Sequence, residues 1–269
     1  MISRPISFNV QQNLTKARWL APFSKRYACI ASLQSLPSDH ALIIGNCVTF
    51  NEGSVVFIKN HKAACTTISQ LLYLHQNGIV CEDNVHKDYE RLIQGLPNFP
   101  VIVEALMARN TFKFTFVRHP VSRAVSAFKD IFLERRNEAW TRHARYIERW
   151  SFSDSLEDSV NFDIFLEYVT ESLHRDSNLT DPHFRRQVDN TGSNSIKFDF
   201  IGRVEDMDFS LGCLSSKLSF NIEALRMQTG KRANFSLIHF SPNIEQVLRL
   251  QEIYHLDFET FGYTFAEAI

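Results

Sequence analysis

Two short runs of apolar residues are each followed by a polar break and then by apolar residues at helical spacing. The first run is Val55-Val56-Phe57-Ile58. It leads through Lys59-Asn60-His61-Lys62 and the small residues Ala63, Ala64 and Cys65 to Ile68, Leu71, Leu72 and His75. The second is Phe112–Val117, followed by Arg118-His119 and then Val121, Ala124, Val125, Phe128, Ile131 and Phe132. A short, mainly apolar run predicts a buried strand, and the i, i+3, i+4 pattern predicts a helix. Pro120 suits a helix start, where a missing N–H costs nothing. Asn77-Gly78 closes the first helix, predicted from Thr66 to about Gln76. Ala41–Phe50 and Ser54–Lys59 read as strands joined by the turn Asn51-Glu52-Gly53. Residues 79–100 read as loop, broken by Pro97 and Pro100. Phe162–Leu173 and Ile244–Tyr254 read as helices and Phe198–Gly202 as a strand. Residues 1–40 are weakly periodic and read as an N-terminal appendage. Residues 135–160 are charged and irregular and read as an insertion on the acceptor side of a site. Alternation of strand and helix predicts an α/β domain with a mainly parallel sheet, whose ligands bind at the carboxyl ends of strands.

Composition adds bounds. The chain has 269 residues, 44% hydrophobic and 22% charged, which suits one domain over residues 1–269. A net charge of -1 gives no field that would favour nucleic acid. The distribution is uneven: Arg109 to Arg149 holds ten Lys/Arg and four Asp/Glu, which points to an anionic ligand. The five cysteines are odd in number, without a C-x-x-C or zinc spacing, and predict reduced thiols and no metal. Cys65 is either a nucleophile or a small buried loop residue, and no motif positions a base for it. Arg4, Lys16, Arg18, Lys25 and Arg26 interrupt every N-terminal apolar stretch, so neither a signal peptide nor a membrane span is expected. Together these features predict a soluble cytoplasmic protein.

The chemistry sits in the two breaks. A strand that turns through small residues into a helix points unpaired N–H groups at the helix start, which makes an anion site. Lys62 adds a charge, and Thr66 and Thr67 add hydroxyls. The turn has no glycine and its lysine comes early, so it departs from the G-x-x-x-x-G-K-[ST] loop of nucleotide hydrolases and kinases. Taken alone, it also fits a lysine–threonine helix cap with no ligand. In the second break, Arg118 leaves a strand and Ser126 follows on the next helix. Both can converge on one phosphate, or Arg118 can pair with a carboxylate. Arg123 is either support or a further anion contact.

Read together, these segments resemble the sulfotransferases that use 3′-phosphoadenosine 5′-phosphosulfate (PAPS). His61 to Thr67 is similar to that family's 5′-phosphosulfate loop, Pro-Lys-small-small-small-Thr-[Ser/Thr]. Arg118-His119-Pro120-Val121-Ser122-Arg123-Ala124-Val125-Ser126-Ala127-Phe128 is similar to its 3′-phosphate motif. Three later stretches resemble the carbohydrate branch, of chondroitin and HNK-1 type: Asp181 to Gln187, Phe198 to Glu205, and Ile253 to Tyr263. His61 stands in place of the usual Pro, His119 in place of an acidic residue and Phe184 in place of a Trp. Luminal members of the branch carry an N-terminal anchor and disulfides.

The resemblance implies a P-loop-like three-layer sandwich with a central, mainly parallel sheet flanked by helices. It implies sulfuryl transfer from PAPS, as co-substrate and without a metal, to a carbohydrate hydroxyl. Lys62, Ala63, Ala64, Cys65, Thr66 and Thr67 would hold the phosphosulfate, and Arg118 and Ser126 the 3′-phosphate. Lys231 and Arg232 lie where relatives close over the nucleotide. Two histidines are candidates for the base: His86, in a stretch similar to one in heparan 6-O-sulfotransferases, and His183, in the carbohydrate-branch motif. A nucleotide kinase and a non-catalytic binder of anionic polysaccharide are the alternatives. The acceptor sugar and the oligomeric state are open.

Overall fold

The structure, a computed structural model, describes residues 10–86, 93–94, 96–136, 139–219 and 238–264. In chain order come α1 (Val10–Leu20), α2 (Lys25–Ala31), α3 (Ser38–Ile43), β1 (Cys47–Phe50), β2 (Val55–Ile58) and α4 (Cys65–Asn77). Next are β3 (Ile93–Gln94), α5 (Phe99–Met107), β4 (Phe112–Val117), α6 (Pro120–Phe128), α7 (Ala139–Ile147) and α8 (Asp158–Asp176). The remainder is α9 (Gln187–Thr191), β5 (Phe200–Arg203), α10 (Met207–Leu218), α11 (Ile244–Ile253) and α12 (His255–Phe261). The chain divides into two compact units, one from Phe8–Val117 and Asn190–Ala233, the other mainly from Arg118–Asp189 and Asn234–Ile269.

The first unit holds the sheet, in the order β3-β1-β2-β4-β5. β1 is antiparallel to both β2 and the two-residue β3, whereas β2 pairs with β4 and β4 with β5 in parallel. The sheet is therefore mixed, and the expected parallel arrangement holds only across β2, β4 and β5. The antiparallel part follows from local chemistry. Asn51, Glu52 and Gly53 all have positive φ, and this tight turn folds β1 back onto β2.

Successive side chains of a strand point to opposite faces. Val55 and Phe57 join Val48, Phe50, Phe114 and Phe116 on one face, against Ile68, Leu71 and Leu72 of α4 and Leu211 and Leu214 of α10. Val56, Ile58 and Cys47 join the other, against Ile102, Val103 and Leu106 of α5 and Ile30, Leu33 and Ile43. Both faces are covered, which is why β2, Val55-Val56-Phe57-Ile58, reads as an unbroken apolar run.

The predicted strand over Ala41–Phe50 is only half strand. Pro37 is extended and opens α3, and a 3-10 turn over Ile44–Asn46 follows before β1. A short apolar run is compatible with either state, and here Ala41 and Ile43 bury a helical face. The weakly periodic N-terminus holds two helices besides α3.

The second unit is helical around an aromatic core. Phe128, Phe132, Phe162, Phe165 and Phe184 are all fully buried, and Phe128 and Phe162 meet edge to face at 4.9 Å. After α6 the chain makes a π-helical turn, Lys129–Leu133, which buries Ile131 and Phe132. The irregular stretch 135–160 contains α7, whose buried face is Ala139, His143, Tyr146 and Ile147.

Gly202 in β5 tests the packing of the sheet. A Cβ there would lie 2.5 Å from Cε1 and 2.6 Å from Cζ of the Phe116 ring. Gly202→Ala is expected to cost about 1–3 kcal/mol, as overpacking does, and to lower the melting temperature by several degrees. Melting within one degree of the parent would refute this packing.

Candidate active site

The turn between β2 and α4 lies in the sheet unit. Its backbone is fixed from both sides: Lys59 N–H donates to the Asn46 carbonyl (2.8 Å), and the buried Asn60 donates its side-chain amide to the Phe116 carbonyl of β4 (3.1 Å). Lys62 (φ 64°) and Ala64 (φ 58°) are both left-handed. That conformation costs a non-glycine residue about 1–2 kcal/mol, and such outliers gather at ligand sites. Backbone that alternates in hand turns successive N–H groups into one concavity suited to an anion. α4 then starts at Cys65 with no side-chain cap, so its first N–H groups add to the same positive end.

Lys62 is 8% exposed, and Ala63 is fully buried in the turn. Thr66 and Thr67 are half-buried on the first turn of α4, as is Cys65. Lys59 is also buried. Desolvation lowers its pKa, opposed by the nearby thiols of Cys65 and Cys47. His86 is half-buried with its Nε2 3.1 Å from Thr66 Oγ1, and its backbone N–H donates to Asn84 Oδ1 (3.0 Å). The structure thus brings His86, twenty residues downstream, onto the helix start that Lys62 precedes.

The second motif lies in the helical unit. Arg118 is bracketed by one side chain: its N–H donates to Gln187 Oε1 (3.0 Å), and Gln187 Nε2 donates to its carbonyl (2.8 Å). Gln187 is itself held, since its N–H and that of Val188 donate to the two oxygens of Asp257 (2.9 and 3.0 Å). Burial raises the Asp257 pKa to about 6, although the Arg123 charge and the two N–H groups favour ionisation. On α6, Ser122 and Ser126 are half-buried and four residues apart, on one edge of the helix.

Arg123 points inward. It is fully buried and donates to the carbonyls of Arg185 (2.8 Å) and Pro182 (2.9 Å). It holds the 182–185 loop in place, as does Tyr254, whose hydroxyl donates to the Phe184 carbonyl (2.7 Å).

His183 sits on that loop. In Asp181-Pro182-His183 the Asp181 carboxylate turns back on its own chain and accepts from the His183 N–H (3.0 Å) and from its Nδ1 (2.6 Å). The other Asp181 oxygen accepts from His143 Nε2 (3.0 Å), and His143 Nδ1 lies 2.8 Å from the Tyr168 hydroxyl. Burial opposes ionisation of Asp181, yet the hydrogen bonds and charges of His143 and His183 hold its carboxyl well below the usual range. A carboxylate only accepts. In neutral His183 the proton is therefore on Nδ1 and the lone pair on Nε2, the arrangement of an oriented base.

Sequence reasoning did not single out Asp181, His143, Gln187 or Asp257 for these roles. Asp-Pro-x is a local turn signal that could have marked Asp181; the other three act only through the fold. Lys231 and Arg232 lie outside the described residues.

A family model described as the sulfotransferase family matches residues 46–264. The chain belongs to that family. It is similar to mouse carbohydrate sulfotransferase 11, at 27% identity over 58% of this chain and 48% of the relative. Human carbohydrate sulfotransferase 10 is 32% identical over 35% of this chain and 28% of the relative. Zebrafish carbohydrate sulfotransferase 14 is 23% identical over 84% and 64%. The chain spans about half the length of the first of these. No solved structure matches significantly. The relatives correct the expected cytoplasmic location, because carbohydrate sulfotransferases 10, 11 and 14 are Golgi membrane enzymes. That expectation rested on the lack of an apolar run, which does not identify a compartment. Among the described residues no helix is long and apolar enough to cross a membrane.

The raised carboxyl of Asp257 gives a pH signature. It titrates near 3.8 when unfolded and near 6 when folded, so between these values only the folded chain keeps the proton. The stability this contributes is full below about pH 3.8 and is lost as pH rises through about 6. Denaturant titrations from pH 4 to 7 should show the parent losing stability relative to Asp257→Asn by at most about 1.4 kcal/mol per pH unit. A pH-independent difference would contradict the raised carboxyl.

Proposed function

We propose that this chain transfers the sulfuryl group of PAPS to a carbohydrate hydroxyl. The observation that carries the proposal is the β2–α4 turn, where buried Lys62 and left-handed Ala64 precede an uncapped helix and His86 contacts Thr66. The family match and the names of the relatives support the reaction class and the carbohydrate acceptor. We read the sheet unit as a P-loop-like three-layer sandwich.

PAPS supplies the activated sulfuryl group. Lys62, the N–H groups of the turn, Thr66 and Thr67 hold its phosphosulfate, and Lys62 neutralises charge growing on the leaving phosphate oxygen. Arg118 and Ser126 take the 3′-phosphate, with the Arg118 backbone fixed by Gln187. Lys231 and Arg232 are assigned to the nucleotide on the family resemblance. His86 removes the acceptor hydroxyl proton as that oxygen bonds to sulfur and the bond to the phosphate breaks. His183, with its tautomer set by Asp181, acts on the acceptor side, beside the stretch 135–160 that supplies His143.

Transfer of labelled sulfate from PAPS to a panel of glycans is the direct test. Lys62→Ala should lower turnover about a hundredfold or more with the fold intact by circular dichroism. Turnover within a few-fold of the parent would defeat the assignment.

The histidines separate kinetically. His86→Ala should depress kcat by about two to four orders of magnitude with nucleotide affinity unchanged. His183→Ala should act chiefly by raising the acceptor KM. The reverse pattern would exchange the two roles and leave the reaction unchanged.

A further inference from the structure

The corner between α1 and α2 has no part in the proposed chemistry, yet it exposes large apolar groups. Trp19 is 78% exposed and Phe23 87%, with Leu20 and Pro22 also exposed between them. All four fall within five residues, where α1 ends, a 3-10 turn Ala21–Phe23 follows and α2 begins. Isolated exposed apolar residues are ordinary; a contiguous set marks a contact surface.

The surrounding charge is of one sign. Lys16, Arg18, Lys25 and Arg26 flank the apolar set and are all exposed. With Arg4 they make five cations before the first acidic residue of the chain, Asp39, although the whole chain has a net charge of -1. We propose that this corner docks on an anionic membrane surface, with Trp19, Leu20 and Phe23 inserted at the headgroup boundary and the four cations against acidic headgroups. Trp favours that depth because its ring is apolar and its N–H can stay hydrated. Leu20, Pro22 and Phe23 have no polar side-chain atom, so they suit hydrocarbon better than the hydroxyls of a polysaccharide. Binding of this kind lies on the membrane rather than across it.

The test is sedimentation of the full chain with vesicles of phosphatidylcholine alone or mixed with phosphatidylserine. The parent should bind the mixed vesicles, weakly bind the neutral ones, and release as salt is raised. Trp19→Ala/Phe23→Ala should lower partitioning about tenfold or more. Lys16→Gln and Lys25→Gln should each lower it about fivefold at low salt. All four positions are exposed, and unchanged melting temperatures would show that the variants stay folded. Absence of binding to mixed vesicles, or equal binding by the double apolar variant, overturns the proposal. Two further results, each without vesicle binding, also overturn it. Loss of retention on an acidic polysaccharide column in the apolar variant would make the patch an acceptor surface. Dissociation of a parent dimer by that variant would make it a contact between copies.

Discussion

The turn between β2 and α4 must run left-handed at two residues without the help of glycine. Lys62 and Ala64 each cost about 1–2 kcal/mol there, so neighbours have to hold the conformation. Asn60 does so through the Phe116 carbonyl, and the Lys59 N–H does so through Asn46. Both contacts reach strands or their flanks that are already buried in the sheet. A polar amide buried beside a strand end is stable only when paired, so the amide position and the strand position specify one another. Together these contacts hold the turn in the conformation that the proposed chemistry uses.

In the helical unit a buried cation has the corresponding place. Arg123 lies between Arg118 and Ser126, which we assign to the 3′-phosphate, but it spends its donors on the 182–185 carbonyls. A guanidinium without exposure needs several acceptors to offset desolvation, and two carbonyls with the Asp257 charge nearby provide them. The residue thereby ties α6 to the loop that bears His183. Asp181 is the matching buried anion, paired to two histidines and approached by Arg142 at 3.4 Å. Packed aromatic rings surround this set, with the His143 ring 5.1 Å from that of Phe184. They exclude water and strengthen the hydrogen bonds.

Where sequence and structure part, the reason is local in each case. Pro97 and Pro100 read as loop breakers, yet Pro100 lies at the start of α5, where a proline removes no hydrogen bond. α7 was hidden because His143 counts as polar, although it occupies the buried stripe with Ala139, Tyr146 and Ile147. The half-helical stretch 38–50 shows how little a short apolar run says about its own secondary structure.

By itself the sequence determined the features that depend on neighbours along the chain. β4 spans the predicted Phe112–Val117, α4 and α6 follow their breaks, and the hairpin turn sits at Asn51-Glu52-Gly53. The five motif stretches were enough to indicate the family. The tertiary structure decided which polar groups meet. Gln187 on Arg118, Asp257 on Gln187, Arg123 on the 182–185 carbonyls and His143 on Asp181 join residues 38 to 70 positions apart. No period or spacing encodes those pairs, because each arises only when burial removes water as the competing partner and leaves one partner in reach.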